Sequence, residues 1–185
     1  MKIETERVIL RPIAWDDKPA IVALINNYEV SKWLSKVVHP YGEENAVQFL
    51  TAVLEDGRPD LDKPFAITFK EKPDDMIGCI GAEPGRTEDG YWSADAEFGY
   101  WLGEEYWGQG ILSEAAPAMV RLGLRCAGYE RLTAGYINGN EKSARILAAC
   151  GFVETGDKAI QCLARGTEEP GRDLILTRER WEARQ

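Results

Sequence analysis

Histidine is nearly absent from this sequence, which contains only His39 among its 185 residues. The cysteines are few and dispersed, and no two of them form a CxxC pair: Cys79, Cys126, Cys150 and Cys162. Zinc sites in proteins are built from closely spaced cysteines and histidines. The sequence therefore predicts no metal site and four reduced thiols.

Long apolar runs and an excess of basic residues are also missing. No segment reaches the roughly 20 apolar residues of a membrane helix, and the first residues, MKIETERVILRP, lack the apolar core of a signal peptide. We therefore expect a cytoplasmic protein without a membrane partner. The 22 Lys and Arg against 31 Asp and Glu give a net charge of −9, which argues against nucleic acid as a partner. An acidic surface attracts cationic amines, although it also serves solubility alone.

The order of strand and helix patterns indicates the fold class. Residues 1–185 show no repeat or internal linker, so we expect a single domain. The predicted strands are ERVILRPI, PFAITFK, MIGCIGAE, ADAEFGYWLG, RLTAGYI, KAIQCLA and RDLILT, with KPDD as the turn between the second and the third. Helices are predicted after a cap at Asp16, from about residue 43, after Gly110 and from residue 141. This order predicts an α/β (α+β) domain with a mixed sheet of about seven strands and flanking helices.

A glycine-containing segment, EYWGQGILSEA at residues 105–115, precedes the third predicted helix. The first amides of a helix have no intrahelical partner, and the helix dipole adds about half a positive charge there. Glycines at 108 and 110 would let these amides approach a phosphate closely. The segment has neither the GK[ST] of a Walker loop nor the GxGxxG of a dinucleotide site, and a plain glycine loop explains its spacing equally well. Pro117 falls in the second turn, where it should remove a hydrogen bond.

A second segment, NGNEKSARILAACGF at residues 138–152, has the signals of a capped helix. Asn140 suits the N-cap, Ser143 lies in the first turn, and Gly151 follows the last turn. Capping alone would account for these residues.

Four segments together resemble the GNAT superfamily of N-acetyltransferases, most closely its ribosomal-protein N-acetyltransferase branch. The segments are ETERVILRP, AEFGYWLGEEYWGQGILSEA, NGNEKSARILAACGFVETG and DLILTRERW, and they span nearly the whole chain. The middle pair is specific, because family members combine a glycine loop with a downstream Asn-x-x-Ser and Gly-Phe. The resemblance implies a mostly antiparallel sheet with a splayed central pair of strands. It also implies acetyl-CoA as the acyl donor, with CoA as product.

The resemblance assigns roles to individual residues. The strand before the glycine loop would pair its backbone with the pantetheine arm of acetyl-CoA at Tyr100, Trp101 and Leu102. The loop amides would hold the pyrophosphate: Trp107, Gly108, Gln109, Gly110, Ile111 and Leu112. Asn140 would contact the pantetheine region, and Ser143 is similar to the residue that protonates the departing thiolate.

Some positions depart from the family pattern. Leu147 stands where many members have a tyrosine acid, which leaves Ser143 as the acid candidate. The strand AIQCLA lacks the carboxylate base of the ribosomal-protein branch. Glu97, on the strand that leads to the thioester, is therefore the predicted general base, and Asp95 and a water chain are alternatives. Glu97 is explained equally well as a half-exposed carboxylate on a strand with no catalytic role.

These features predict an enzyme that transfers an acetyl group to a primary amine by direct attack in a ternary complex. The identity of the acceptor, a protein N-terminus or a small-molecule amine, stays open, as does the use of acyl groups other than acetyl. The resemblance implies that the loop with His39 and Tyr41 lines the acceptor site, although a solvated loop histidine explains His39 without that role. The alternative is a catalytically inactive acyl-CoA-binding regulatory module, which Leu147 would suit. A purely structural domain is a third hypothesis. Family members often dimerise, so a homodimer is one assembly that the resemblance allows.

Overall fold

One eight-stranded sheet organises the chain in the computed structural model, which describes all residues from Met1 to Gln185. Its strands are β1 (Ile3–Glu4), β2 (Val8–Pro12), β3 (Phe65–Phe69), β4 (Lys72–Arg86), β5 (Trp92–Leu102), β6 (Arg131–Ile137), β7 (Val153–Cys162) and β8 (Thr167–Thr177). Their order across the sheet is β1-β2-β3-β4-β5-β6-β8-β7. All neighbours are antiparallel except β5 and β6, which are parallel. The predicted mixed, mostly antiparallel sheet is thereby confirmed.

Six α-helices flank the sheet: α1 (Lys18–Ile25), α2 (Tyr28–Ser31), α3 (Glu43–Leu54), α4 (Ile111–Arg121), α5 (Glu141–Cys150) and α6 (Arg178–Glu182). Helix α4 continues into a π-helical segment, Leu122–Ala127. None of these helices combines the length and the apolar character that a membrane crossing requires.

Three elements escape the sequence patterns because they are too short to show a period. Strand β1 has two residues, and helices α2 and α6 have four and five. The expected KPDD turn is wrong: these residues already belong to β4, and the turn is at residues 70–71. The expected cap at Asp16 is also wrong, because α1 starts after Asp17, whose carboxylate accepts from the backbone N–H of Ala14 at 2.9 Å.

Pro117 does not end α4. The helix runs through it to Arg121, and Pro117 is exposed. The carbonyl that loses its donor belongs to Ser113, which is also exposed, so water can satisfy it. The proline therefore costs one hydrogen bond on the wet side of the helix and leaves the buried side intact.

The two faces of the sheet carry separate cores. On one face α4 and α5 pack on the central strands in a large cluster that includes Ile111, Leu132 and Leu147. On the other face α1 and α3 cover only the first half of the sheet, around Ile21 and Leu50. Apolar burial on both faces fixes β3 and β4 as the rigid centre of this half.

Strands β5 and β6 pair over only three residue pairs, which involve Asp95, Ala96 and Glu97 of β5. Beyond Glu97 the two strands diverge, while β4 continues to pair with β5 as far as Leu102. The last residues of β5, 98–102, therefore leave one backbone edge without a strand partner. This is the splayed pair that the family resemblance implied.

Candidate active site

A cleft of about 970 Å³ fills the gap between the diverging strands. Its walls come from the free part of β5, from β6, from the first turns of α4 and α5, and from β7. The segment after α2 closes one end. Three carboxylates and four cations line the cleft, namely Glu29, Glu97 and Glu141, and Lys32, Lys142, Arg145 and Lys158. The acidic excess of the whole chain is therefore not concentrated in this cleft.

The segment between β5 and α4 presents a row of free backbone amides. Gly108 and Gly110 both have φ of +76°, and Gly110 is the N-cap of α4. The N–H groups of residues 108–113 donate no hydrogen bond within the protein, whereas the N–H of Trp107 donates to the carbonyl of Glu104 at 3.0 Å. A Cβ atom added at Gly108 would meet no atom within 4 Å. Open space and unused donors at a helix N-terminus are suited to an anion.

Trp107 links this loop to its surroundings. Its Nε1 donates to the carbonyl of Leu102 at 2.8 Å, at the end of β5. The ammonium of Lys142, in the first turn of α5, lies 4.4 Å from the centre of the indole ring. A cation over an indole face contributes about 0.5–1 kcal/mol at exposed sites. Trp107 therefore holds a positive charge beside the loop.

A second link joins the loop to the start of β2. Arg7 donates from Nη1 to the carbonyl of Gln109 at 3.0 Å and from Nε to Glu114 Oε2 at 2.9 Å. The other oxygen of Glu114 accepts from the backbone N–H of Arg7 at 2.6 Å and from the hydroxyl of Thr5. Burial alone would raise the pKa of Glu114, but these hydrogen bonds lower it to about 2. We call this set of contacts the Arg7–Glu114 clamp.

Two hydroxyl groups meet inside the cleft, where Tyr100 Oη lies 2.9 Å from Ser143 Oγ and 3.3 Å from the Ser143 carbonyl. Burial raises the pKa of the Tyr100 phenol, and the hydrogen bond to Ser143 offsets part of that effect. Tyr100 is therefore a neutral donor at physiological pH. Ser143 is held in turn by Asn140, whose Oδ1 accepts from the Ser143 N–H at 3.2 Å and caps α5.

The two carboxylates considered as bases have different neighbours. Glu97 lines the cleft, and its Oε2 lies 3.0 Å from Nζ of Lys36, with both side chains largely exposed. Asp95 lies where β5 and β6 still pair, and Arg131 binds both of its oxygens. Asp95 does not line the cleft. Of the two, only Glu97 lines the cleft.

The end of the cleft is closed by contacts between the segment after α2 and the turn between β7 and β8. Arg165 Nε donates to the carbonyl of Lys32 at 2.9 Å, and the Leu163 N–H donates to the carbonyl of Ser35 at 3.3 Å. The thiol of Cys162 donates to the same Lys32 carbonyl at 3.4 Å. The guanidinium of Arg165 also lies 4.9 Å from the ring centre of Trp33. We call these contacts the end bridge.

The structure brings most of the predicted site residues to the cleft lining: Glu97, Tyr100, Trp101, Leu102, Trp107, Gly108, Gly110, Ile111, Leu112, Asn140 and Ser143. Gln109 does not line it; its amide donates to the carbonyl of Glu105 at 2.9 Å. His39 and Tyr41 do not line it either. His39 packs edge-on against Tyr28, and Tyr41 is buried in the α1–α3 core, where burial raises its pKa to about 12.

Sequence reasoning missed Arg7, Lys36 and Lys142 as residues of the site. Lys142 had a local signal, since it precedes Ser143 in the first turn of α5. The other two had none. Arg7 reaches Gln109 across 102 positions and Lys36 reaches Glu97 across 61.

The residues of the cleft fit coenzyme A and its thioesters. The free amides of residues 108–113 suit a pyrophosphate, with Lys142 and Arg145 as nearby cations. The unpaired edge of β5 can hydrogen-bond an extended amide-bearing arm as a strand would. The hydroxyl groups of Tyr100 and Ser143 meet between these amides and the edge of β5.

Comparison with known families and proteins finds relatives in sequence. The model of the acetyltransferase (GNAT) domain matches residues 7–153 of the chain. Over 169 residues the chain is 30% identical to YoaA, an uncharacterised N-acetyltransferase of Bacillus subtilis (strain 168). This match covers 83% of the chain and 84% of YoaA.

Solved structures with the same fold cover nearly the whole chain. Ribosomal-protein-S5-alanine acetyltransferase from Vibrio fischeri superposes with a TM-score of 0.80 at 26% identity, over 98% of each chain. Spermidine N-acetyltransferase from Vibrio cholerae, solved in complex with CoA and spermine, superposes with a TM-score of 0.77 over 95% of this chain and 98% of that one. At 17% identity the second likeness is one of fold alone.

Proposed function

The chain belongs to the acetyltransferase (GNAT) family, and on that premise we propose that it transfers an acetyl group from acetyl-CoA to a primary amine within a ternary complex. The observation that carries this proposal is the row of free amides at residues 108–113 beside the unpaired edge of β5. If the pyrophosphate of acetyl-CoA binds the free amides and its pantetheine arm extends along the edge of β5, the acetyl group would lie toward Tyr100 and Ser143.

Acetyl-CoA supplies an activated acyl group and a thiolate leaving group. For the leaving group the chain offers the proton on Ser143 Oγ. If the Tyr100 hydroxyl donates to Ser143 Oγ at 2.9 Å, the serine proton is free to point into the cleft. The Tyr100–Ser143 pair thus orients an uncharged proton donor toward the leaving thiolate. A charged acid is not needed, because the thiol that forms has a pKa of about 8.5.

The acceptor amine must lose a proton before it can attack, because its pKa is about 8 to 10. Glu97 is the carboxylate that lines the cleft, and Lys36 holds it at 3.0 Å. We propose that Glu97 accepts the proton directly or through a water molecule. Backbone N–H groups on the free edge of β5 would stabilise the negative charge that develops on the acyl oxygen.

Proteins similar to this chain act on different kinds of amine, so the proposed acceptor is a class and not a single compound. The Vibrio fischeri relative is named for an alanine of ribosomal protein S5, and the Vibrio cholerae neighbour for spermidine. In this chain Glu29 and Glu97, the carboxylates near the closed end, each pair with a lysine, at 2.5 and 3.0 Å. Such a lining offers a polycation little free negative charge. It therefore favours a protein N-terminus or a small monoamine as acceptor.

Calorimetric titration with acetyl-CoA, with free CoA as a comparison, tests the proposal. We expect micromolar binding of both, followed by release of free thiol when acetyl-CoA is incubated with an accepted amine. A suitable panel includes a peptide that begins with alanine, spermidine and simple monoamines. If neither CoA ligand binds, the proposed function is wrong.

Binding without turnover would favour the second candidate, a catalytically inactive acyl-CoA-binding module. Two observations give that candidate some weight. Leu147 is buried in the core where many relatives have a tyrosine acid, and the carboxylate of Glu97 is occupied by Lys36. Turnover with any amine of the panel excludes it.

Replacing Glu97 with glutamine is expected to lower kcat/KM for the amine about tenfold at pH 7. The effect stays below the usual 10²–10⁴ of a general base because water can replace an exposed carboxylate. The rate should recover as the pH approaches the pKa of the amine, which then loses its proton to solvent. A full pH–rate profile measures this, with Asp95→Asn as the matched control. A profile that Glu97→Gln leaves unchanged would remove Glu97 from the mechanism.

A further inference from the structure

The geometry points to Arg7 as the residue that positions the pyrophosphate loop, by holding the peptide group between Gln109 and Gly110 in the orientation that directs the Gly110 N–H into the cleft. This inference rests on the proposed function, since it concerns how the chain would receive CoA. Arg7 lies 102 residues before the loop and is not a predicted site residue.

The peptide group between Gln109 and Gly110 has its carbonyl and its N–H on opposite sides. In a trans peptide the C=O of one residue and the N–H of the next point in opposite directions. Arg7 Nη1 binds the carbonyl of Gln109 at 3.0 Å on the side of β2. The N–H of Gly110 therefore faces away from Arg7, and it has no acceptor in the protein.

The same peptide group could also adopt the opposite orientation. Glycine tolerates both signs of φ, so a peptide next to Gly110 can rotate at little steric cost. Rotation would turn the Gln109 carbonyl oxygen toward the phosphate position and take the Gly110 N–H out of it. An oxygen facing a phosphate repels it, whereas an N–H binds it with a charge-assisted hydrogen bond. The contact with Arg7 favours the productive orientation.

Glu114 holds Arg7 in place. Its carboxylate accepts hydrogen bonds from Arg7 Nε at 2.9 Å and from the Arg7 backbone N–H at 2.6 Å, so both the side chain and the backbone of Arg7 are held. Glu114 belongs to the first turn of α4, the helix whose N-terminus forms the site. Its side chain is only 15% exposed, and its pKa of about 2 keeps it ionised at any physiological pH. The clamp thus joins strand, loop and helix.

Arg7 could instead contact a phosphate directly as a free cation, since its side chain is 46% exposed. The two roles differ in their dependence on Glu114. If Arg7 attracted phosphate by charge alone, removing the negative charge of Glu114 would strengthen CoA binding. If Arg7 acts through the clamp, the same change loosens the arginine and weakens binding.

Calorimetric titration with CoA of the full-length protein and its variants tests the inference. Arg7→Gln and Glu114→Gln are each expected to weaken CoA binding about tenfold, the loss of one charge-assisted bond. Arg7→Lys, which keeps one donor for the Gln109 carbonyl, should recover part of the loss and replaces Arg7→Gln if that variant does not fold. Pantetheine lacks the pyrophosphate, so its affinity, followed by NMR titration, should change less than about twofold on the same scale.

Arg178→Gln is the matched control. Arg178 also holds backbone carbonyls beside a glycine of positive φ, with Nε 3.1 Å from the Tyr129 carbonyl and Gly128 at +87°, but outside the cleft. Its loss should lower stability and leave CoA affinity unchanged. Equal affinity in wild type and Arg7→Gln, tighter binding in Glu114→Gln, or an equal loss in Arg178→Gln would each overturn the inference. A wild type that does not bind CoA would overturn the proposed function instead.

Discussion

Gly108→Val is expected to weaken CoA binding by at least about 100-fold while the protein still folds. Gly108 lines the cleft, and a Cβ there meets no atom of the protein, so the new side chain would occupy the space left for a ligand. Exclusion of the phosphate would break several amide contacts, each about 1.5–3 kcal/mol, and about 2.7 kcal/mol already corresponds to 100-fold. Calorimetric titration with CoA measures the change.

Gly57→Val separates this effect from backbone strain. Gly57 has φ of +78°, nearly that of Gly108, and open space around its Cβ position, but it does not line the cleft. A side chain in the left-handed region costs about 1–2 kcal/mol, so both variants should lose similar thermal stability. Only Gly108→Val should lose CoA. Retained affinity in that variant would refute the phosphate loop.

Ser143→Ala is expected to lower kcat about 100- to 1,000-fold with little change in the Kd of acetyl-CoA. The hydroxyl of Ser143 faces that of Tyr100 at 2.9 Å, and the substitution removes the group that we propose protonates the leaving thiolate. General acids usually contribute about 10²–10⁴, and a thiolate needs less help than an alkoxide or an amine. Steady-state kinetics with an accepted amine, together with a binding titration, measure both quantities.

Tyr100→Phe provides the graded comparison for this prediction. It keeps the ring, which packs edge-on against Phe98 at 5.6 Å, and removes only the hydroxyl. If Tyr100 orients the serine proton, kcat should fall about tenfold, a smaller loss than in Ser143→Ala. If Ser143→Ala keeps the wild-type kcat and Tyr100→Phe loses it, the tyrosine is the acid and the assignment of Ser143 is wrong.

Local patterns predicted the parts of the fold that repeat over several residues. The alternation in β3 and the helical spacing of α3 fixed both elements from sequence, and so did the glycines around α4 and the N-cap of α5. These signals are carried within about a dozen residues. Elements of one turn, such as α2, were missed because they are shorter than the period that would reveal them.

The contacts that complete the candidate site could not be predicted from the sequence, because they join residues that are far apart along the chain. Lys36 meets Glu97 only because the segment after α2 crosses the end of the cleft, and Arg7 meets Gln109 only because β2 runs beside α4. The charge of the cleft shows the same limit. The net charge of −9 was compatible with attraction of cationic amines and with solubility alone, and it did not reveal that the cleft lining has four cations and three carboxylates.

The end bridge bears on how such an enzyme can change its substrate over evolutionary time. Each of its hydrogen bonds from Cys162, Leu163 and Arg165 ends on a backbone carbonyl of residues 32–35. Every amino acid supplies that carbonyl. Mutations that replace the side chains of these positions, which face the cleft, therefore leave those hydrogen bonds intact. If this end of the cleft receives the acceptor, as the proposed function would have it, substitutions at residues 32–35 could alter specificity one at a time while these hydrogen bonds persist.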